Sequence, residues 1–269
     1  RDGLADVGNV VSAYIPSSMP KNNVVADVGL VLEDHMAASF AITEMNLLNE
    51  GLQEEWQSFD VVFGGGFSTP PYLMLCVPEI RTLADVEGKK MRTASGSHVD
   101  LVNLMKGEPV SVSFNDAYTG LERGSLDCIL GSAENLGTGF KLWDVIGSVT
   151  MIPLGTHISG GAWIYNKSTW GGLSDLQRKS LLEQMAVAGV RRQMAYDVEI
   201  GQSLEGSWER GVERIEPDET LSNMVDEYKA TFIANLPGES ESKRNVPAAE
   251  AKALIDDFQQ IYGRWQGLL

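Results

Sequence analysis

Arg92 is the residue of this sequence best suited to hold a charged ligand, and it ends the segment GKKMR, residues 88–92. A guanidinium meets a carboxylate with two parallel hydrogen bonds, a geometry that lysine cannot reproduce. Ser95 follows three residues later and offers a hydroxyl donor beside it. Taken alone, Arg92 favours a structural pairing with a carboxylate at the edge of the core, such as Asp127.

The sequence offers little support for catalysis, for a metal or for a cofactor. Its histidines, His35, His98 and His157, are scattered without metal-ligand spacing, and no H-E-x-x-H, C-x-x-C or G-x-S-x-G motif is present. His98 beside a serine is the best candidate for part of a catalytic triad, but a surface or helix-start histidine is favoured. The glycines 64–66 lack the Gly-Lys-Ser/Thr of a nucleotide loop, so they predict a cleft wall or a tight turn.

Composition narrows the classes of function further. The chain has 269 residues, a formal net charge of −16, 43% hydrophobic and 22% charged residues, which is ordinary for a globular protein. The negative charge argues against nucleic acid and anionic membranes as partners, so an anionic ligand must be attracted by a local cation. The apolar runs are shorter than the ~20 residues of a membrane span. For Cys76 and Cys128 we expect two buried free thiols, with one disulfide as the alternative.

The elements around Arg92 are predicted to alternate between strand and helix. A short strand carries Met91 and Arg92, and a helical pattern follows over residues 98–105. A second strand is predicted over residues 110–114, and a helix capped by Asn115 or Asp116 follows it. The last strand of this unit covers residues 126–130. Such alternation predicts a parallel sheet in an α/β fold.

The rest of the chain is predicted to contain further strands, several helices and one very long helix. Ser174 opens this helix with a capping box, and its pattern continues to about residue 210, a length of roughly 54 Å. The other predicted helices cover residues 32–52, 226–236 and 248–265, with a polar loop over residues 237–240 and Pro247 in the first turn of the last helix. The other predicted strands cover residues 5–11, 59–63, 72–77, 149–154, 156–167 and 212–215.

Two motifs together resemble the substrate-binding proteins of tripartite ATP-independent periplasmic (TRAP) transporters. The first is G-K-K-[IM]-R, ending at Arg92, and the second is F-x-[DE]-x-Y-x-x-L-x-x-G-x-[LV]-D, from Phe114 to Asp127. The likeness runs over about residues 1–215. It implies a two-lobed periplasmic-binding-protein fold of the α/β class, with the long helix 175–210 as a spine across both lobes. It also implies that Arg92 clamps a substrate carboxylate, so the ligand-binding interpretation is now favoured.

The resemblance implies lobe boundaries as well. We expect lobe I to comprise residues 1–71 and 158–215, and lobe II residues 72–157 and 216–269. In the family a strand, a helix and a second strand precede the segment that residues 1–8 resemble. We therefore expect the working protein to carry about two more strands, because a sheet without its first strand has an unpaired edge and an exposed apolar face.

The family's ligand cleft supplies further candidate residues. Tyr72 stands where receptors for dicarboxylates carry a second arginine, so a monocarboxylate is expected, with Tyr72 and Phe114 as apolar walls. Gly131 stands where many members have an asparagine. Glu134 and Asn135 either suit a ligand with hydroxyl or amino groups or cap the next helix. The remaining candidates for the cleft are Asn9, Tyr14, Ser132, Gly160 and Trp163. For Tyr14 the alternative is packing on its own lobe, and for Trp163 it is packing in the core.

The function implied is that of an extracytoplasmic solute receptor, not an enzyme. We expect a monomeric periplasmic protein that binds a small organic acid, closes by hinge motion and then docks on the membrane permease subunits of a TRAP transporter. A ligand-sensing domain of a signalling protein on the same fold is the alternative. An enzyme on a two-lobed scaffold is a more distant one.

Overall fold

The computed structural model describes residues 3–137, 139–158 and 161–269, and their strands form two sheets. The first sheet contains β1 (Val7–Val10), β2 (Val61–Phe67) and β8 (Gly161–Asn166), with β8 in the middle and both pairings antiparallel. The second sheet has the order β5-β4-β6-β3-β7-β9. Its strands are β3 (Tyr72–Cys76), β4 (Lys90–Arg92), β5 (Glu108–Val110), β6 (Cys128–Ser132), β7 (Ser148–Thr150) and β9 (Glu213–Ile215).

The predicted strand–helix–strand unit around Arg92 is present as the parallel strands β5, β4 and β6. Helix α5 (Gly96–Leu104) connects β4 to β5, and helix α6 (Ala117–Glu122) connects β5 to β6. Strand β5 ends at Val110, whereas the sequence predicted a strand to Phe114. The reason is that the carbonyl oxygen of Val112 accepts a hydrogen bond from Arg92 Nε, so this segment bonds a side chain instead of a neighbouring strand.

The predicted spine helix is confirmed as α8 (Asp175–Glu209), 35 residues long. Ser174 and Gln177 form the expected capping box at its start. Against the prediction for lobe I, the strand that follows α8 belongs to the second sheet, because β9 pairs with β7. The other helices are α1 (Pro20–Asp27), α2 (His35–Leu48), α3 (Glu50–Gln57), α4 (Leu83–Val86), α7 (Lys167–Gly172), α9 (Glu219–Arg244) and α10 (Ala248–Gln266).

Three helix predictions need correction. The helix predicted over residues 32–52 is interrupted at Asn49, whose extended backbone and side chain cap α3. The loop predicted over residues 237–240 is helical, so α9 continues through Pro237. A proline inside a helix costs about 3 kcal/mol, but Phe232, Leu236 and Ser240 form one buried face that outweighs it. Pro247 precedes α10 as its N-cap residue and does not lie in its first turn.

Helices α9 and α10 share one buried cluster with the second sheet, whereas the buried residues of the first sheet form a separate cluster. Phe232 of α9 and Phe258 of α10 belong to the same buried cluster as Met91, the neighbour of Arg92. Helix α10 packs mainly on α2, which lies against the first sheet, although the sequence placed residues 216–269 in lobe II. The division into two lobes that move as units stays a prediction. No helix in the described ranges is long and apolar enough to cross a membrane.

The prediction of two free thiols is wrong, because Cys76 and Cys128 form a disulfide. They lie opposite each other on the antiparallel strands β3 and β6, with a Cα–Cα distance of 4.1 Å. Both are fully buried. Their separation of 52 positions hides the pairing in the sequence. The bridge fastens β6 beside Met91 of β4, one residue before Arg92.

We expect replacement of both cysteines by alanine to lower the free energy of unfolding by about 2–5 kcal/mol, because the bridge closes a long loop in the unfolded chain. Denaturant titration of the double variant C76A/C128A measures this, with the exposed-site variant Leu104→Ala as control. Thiol counting on the protein unfolded without reductant should find none. Two titratable thiols would contradict the bridge.

Candidate functional site

Arg92 is buried, with 1% of its surface exposed, and its charge faces oxygen atoms that carry no formal charge. Nε donates to Val112 O at 3.1 Å, Nη1 to Leu130 O at 3.5 Å and Nη2 to the Tyr14 hydroxyl at 2.9 Å. Its guanidinium carbon also lies 4.9 Å from the centre of the Phe114 ring. Among the described residues, no carboxylate lies within ion-pair distance of Arg92.

These contacts restrict how an anion can approach. A guanidinium has five N–H donors, and the bond to Val112 already uses Nε. The approach that these contacts leave for a carboxylate is end-on, towards Nη1 and Nη2. The alternative that Arg92 pairs with Asp127 does not hold. Asp127 accepts a hydrogen bond from Lys90 N at 2.8 Å and forms no ion pair with Arg92 in the described contacts.

Tyr14 connects the first sheet to this site. It lies in a 3-10 turn after β1, and its hydroxyl is shared by Arg92 Nη2 and, at 3.4 Å, by the backbone N–H of Phe114. Two donors thus converge on one oxygen, as they would on a carboxylate oxygen. The Tyr14 side chain is 44% exposed, so this contact borders on solvent.

Tyr72 and two histidines form a buried aromatic wall next to Arg92. The Tyr72 ring stacks on His98 at a centroid distance of 5.3 Å and lies 5.7 Å from His157. Burial raises the pKa of Tyr72 to about 12, although the Arg92 charge opposes this. Burial lowers the pKa of His98 to about 4 and that of His157 to about 3. Both imidazoles are therefore neutral at pH 7. The sequence did not predict His157, which no local motif marks.

Ser95 and His98 hold each other in place. The Ser95 hydroxyl lies 2.9 Å from His98 Nδ1 and 2.8 Å from the Ser97 hydroxyl, and His98 Nε2 lies 3.2 Å from the backbone oxygen of Leu154. A backbone carbonyl thus stands where a catalytic triad needs a carboxylate. The predicted serine beside the clamp is buried at the start of α5, near the aromatic wall.

At the end of β6, three polar side chains form a second cluster. Ser132 Oγ donates to Glu134 Oε1 at 2.7 Å, and Asn135 Nδ2 donates to the same oxygen at 2.9 Å. Glu134 and Asn135 lie inside a 3-10 turn and bond Ser132, so they do not act as N-caps. Burial raises the pKa of the Glu134 carboxyl. Gly131 leaves room for Phe114, because a Cβ there would lie 3.1 Å from its ring.

The remaining candidates are more distant from Arg92. Asn9 is exposed on β1, opposite Trp163 of β8, and within the described ranges no hydrogen bond links either residue to Arg92. Their place in the cleft stays a prediction. Gly160 lies outside the described residues.

An apolar groove of ≈910 Å³ has a lining that does not include Arg92. Its walls include Trp163, residues of α2, α8 and α10, and glycines 64–66. These glycines lie within strand β2, not in a turn, and Gly64 is required by close packing because a Cβ would approach Tyr165 to 2.4 Å. Strand β2 pairs with β8 alone in the described sheet, so its other edge borders the groove. We assign no ligand to it.

The comparison with family models supports the sequence resemblance. The model of the family DctP, bacterial extracellular solute-binding protein, family 7, matches residues 3–229. No curated protein sequence matches the chain.

Solved structures share the fold. A TRAP periplasmic solute-binding protein from Bordetella bronchiseptica with bound (R)- and (S)-mandelate matches with a TM-score of 0.80 at 20% identity, covering 98% of this chain and 82% of its own. A TRAP solute-binding protein from Rhodoferax ferrireducens in complex with benzoate matches with a TM-score of 0.82 at 15% identity, covering 99% and 81%. An extracytoplasmic solute receptor of Bordetella pertussis that binds pyroglutamic acid matches with a TM-score of 0.76 at 18% identity, covering 96% and 81%.

The neutral histidines predict a pH dependence of stability. The unfolded imidazoles titrate near pH 6.5, whereas the folded ones stay neutral down to about 4 and 3. The unfolded state therefore binds more protons in this window, and we expect the free energy of unfolding to fall as the pH falls from 6.5 towards 4.

Urea titrations at several pH values measure this decrease, and His98→Gln should reduce it because one imidazole is removed. In NMR spectra, His98 and His157 should keep the shifts of neutral imidazoles from pH 8 to pH 5. Titration of either residue near pH 6.5 would contradict the structure.

Proposed function

The chain belongs to the family-7 bacterial extracellular solute-binding proteins, and we propose that it is the receptor of a TRAP transporter that binds a small monocarboxylic acid through Arg92. Three relatives with the same fold bind mandelate, benzoate and pyroglutamic acid, and each of these is a small acid. Their identities of 15–20% leave the ligand of this chain to be argued from its own residues.

The observation that carries the proposal is a fully buried guanidinium without a carboxylate partner in the described contacts. Burial of a charge costs several kcal/mol unless it is paired. Carbonyl and hydroxyl oxygens orient Arg92 but do not neutralise it. A ligand carboxylate at Nη1 and Nη2 supplies the missing charge with bidentate geometry.

The walls of the site favour one carboxylate and an apolar or aromatic body. Tyr72 occupies the place of the second arginine of dicarboxylate receptors, and burial keeps its hydroxyl neutral at pH 7. The neutral His98 adds no second positive charge. Phe114 offers a ring face next to the clamp. A flat organic acid of the size of benzoate suits these surfaces.

The Tyr14 contact supports closure of the cleft. It links the turn after β1 of the first sheet to Arg92 and Phe114 of the second. In a receptor that closes by hinge motion, such a contact forms when the two sheets approach and breaks when they separate. The closed form is the one that we propose docks on the membrane permease subunits. The disulfide fits an oxidising periplasm. We propose that the receptor is a monomer.

We expect Arg92→Ala to weaken binding of a monocarboxylate roughly 30- to several-thousand-fold, because the change removes the partner of a desolvated charge. Arg92→Lys should recover only part of this, since an ammonium lacks the bidentate fork. Calorimetric titration of benzoate, mandelate, pyroglutamate and a dicarboxylate such as succinate measures the effect.

The matched control is Arg214→Ala, which removes an exposed arginine that pairs with Glu216. Unchanged affinity in Arg92→Ala, or equally tight binding of succinate, would contradict the proposal.

For Tyr14→Phe we expect the unliganded protein to become more open, because a hydrogen bond to a charged donor, worth about 1.5–3 kcal/mol, is lost. Small-angle X-ray scattering should show a larger radius of gyration than in the wild-type protein without ligand, and equal values for both when saturated with ligand. If the ligand leaves the radius of gyration of both proteins unchanged, hinge closure is wrong.

A further inference from the structure

Glu134 presents a buried carboxyl oxygen that no described contact satisfies. The residue is 5% exposed, and its Oε2 atom has no hydrogen-bond partner in the described part of the chain. Its other oxygen, Oε1, accepts from both Ser132 Oγ and Asn135 Nδ2. An unsatisfied buried acceptor costs about 1–3 kcal/mol, so such an atom calls for an explanation.

The end of β6 brings the carboxyl near the clamp, because Leu130 O accepts a hydrogen bond from Arg92 Nη1 and Ser132, two residues further along β6, donates to Glu134. Ser132 stands directly opposite Tyr72 in the β3–β6 register, and cross-strand partners point to the same face. Burial raises the pKa of the Tyr72 hydroxyl, and the charge of Arg92 lowers this pKa while that of Glu134 raises it. Arg92 and Glu134 thus both act on Tyr72.

The Glu134 side chain is also held in a defined position. Ser132 and Asn135 fix Oε1, and Ser203 of α8 donates to the backbone oxygen of Glu134 at 3.3 Å. A group fixed in this way does not lose conformational freedom when it binds a ligand. Oε2 is consequently a preorganised hydrogen-bonding atom, not the end of a mobile surface side chain.

We propose that Glu134 Oε2 accepts a hydrogen bond from a hydroxyl or amino group of the ligand whose carboxylate meets Arg92. The inference rests on the proposed function and narrows it: the ligand is a hydroxy- or amino-substituted monocarboxylic acid. An unsubstituted acid leaves Oε2 unsatisfied in a drier, closed cleft. A site built to hydrogen-bond a substituent discriminates strongly against the analogue that lacks it.

The test uses pairs of acids that differ in one donor group: mandelate with phenylacetate, 3-hydroxybenzoate with benzoate, and pyroglutamate with cyclopentanecarboxylate. Calorimetric titration gives the ratio of dissociation constants within each pair. For the wild-type chain we expect the substituted acid of at least one pair to bind tenfold or more tightly. In Glu134→Ala this ratio should fall to about one, with the affinity of the unsubstituted acid changed less than threefold.

Two further variants keep the test decisive. Glu134→Gln preserves the shape of the side chain and should also lower the ratio, because its amide cannot offer the same acceptor to the same donor. It replaces the alanine variant if that protein fails to fold. Glu209→Gln, at an exposed site on α8, is the matched control and should leave the ratio unchanged.

The outcomes separate the inference from the proposed function. If acids bind through Arg92 but every pair binds equally, or if Glu134→Ala weakens both members alike, the inference is overturned while the receptor function stands. If no acid binds the wild-type protein at all, both proposals are wrong.

Discussion

The burial of one guanidinium is the constraint on which the site of this protein depends. Arg92 ends the short central strand β4, and its neighbour Met91 is anchored in the core beside the Cys76–Cys128 bridge. A charged side chain so placed must be surrounded by oxygens, and the chain supplies two backbone carbonyls and the Tyr14 hydroxyl. These oxygens orient the guanidinium and leave an end-on approach to Nη1 and Nη2 for an anion. The irregular segment after β5 exists because it gives Val112 O to Arg92.

The electrostatics of the site are arranged by burial more than by pairing. His98 and His157 are held neutral, so Arg92 remains the positive charge that faces Tyr72. Glu134 follows Ser132 at the end of β6, and burial raises the pKa of its carboxyl. The positive charge of Arg92 is therefore a local one. This matters in a protein with a net charge of −16, because the overall field does not attract anions.

Local signals in the sequence were sufficient to predict many of the helices and strands. The capping box at Ser174 predicted the start of α8, and periodicity predicted its length. The local patterns predicted the wrong structure where tertiary packing was decisive. Pro237 predicted a loop, but it lies inside α9, because the buried face of this helix is continuous. At Asn49 the opposite happened, since a capping side chain ended a helix that hydrophobic periodicity continued.

The sequence by itself determined the family, the α/β class and the long helix, because these depend on residues close together along the chain. Only the tertiary structure decided which groups surround Arg92. The Tyr14 hydroxyl that it contacts is 78 positions away, and the Cys76–Cys128 bridge spans 52. The stack of Tyr72 with His98 and His157 and the unsatisfied oxygen of Glu134 are likewise invisible in the sequence. Burial and strand register depend on contacts between segments that are far apart in the sequence, and local sequence patterns do not predict such contacts.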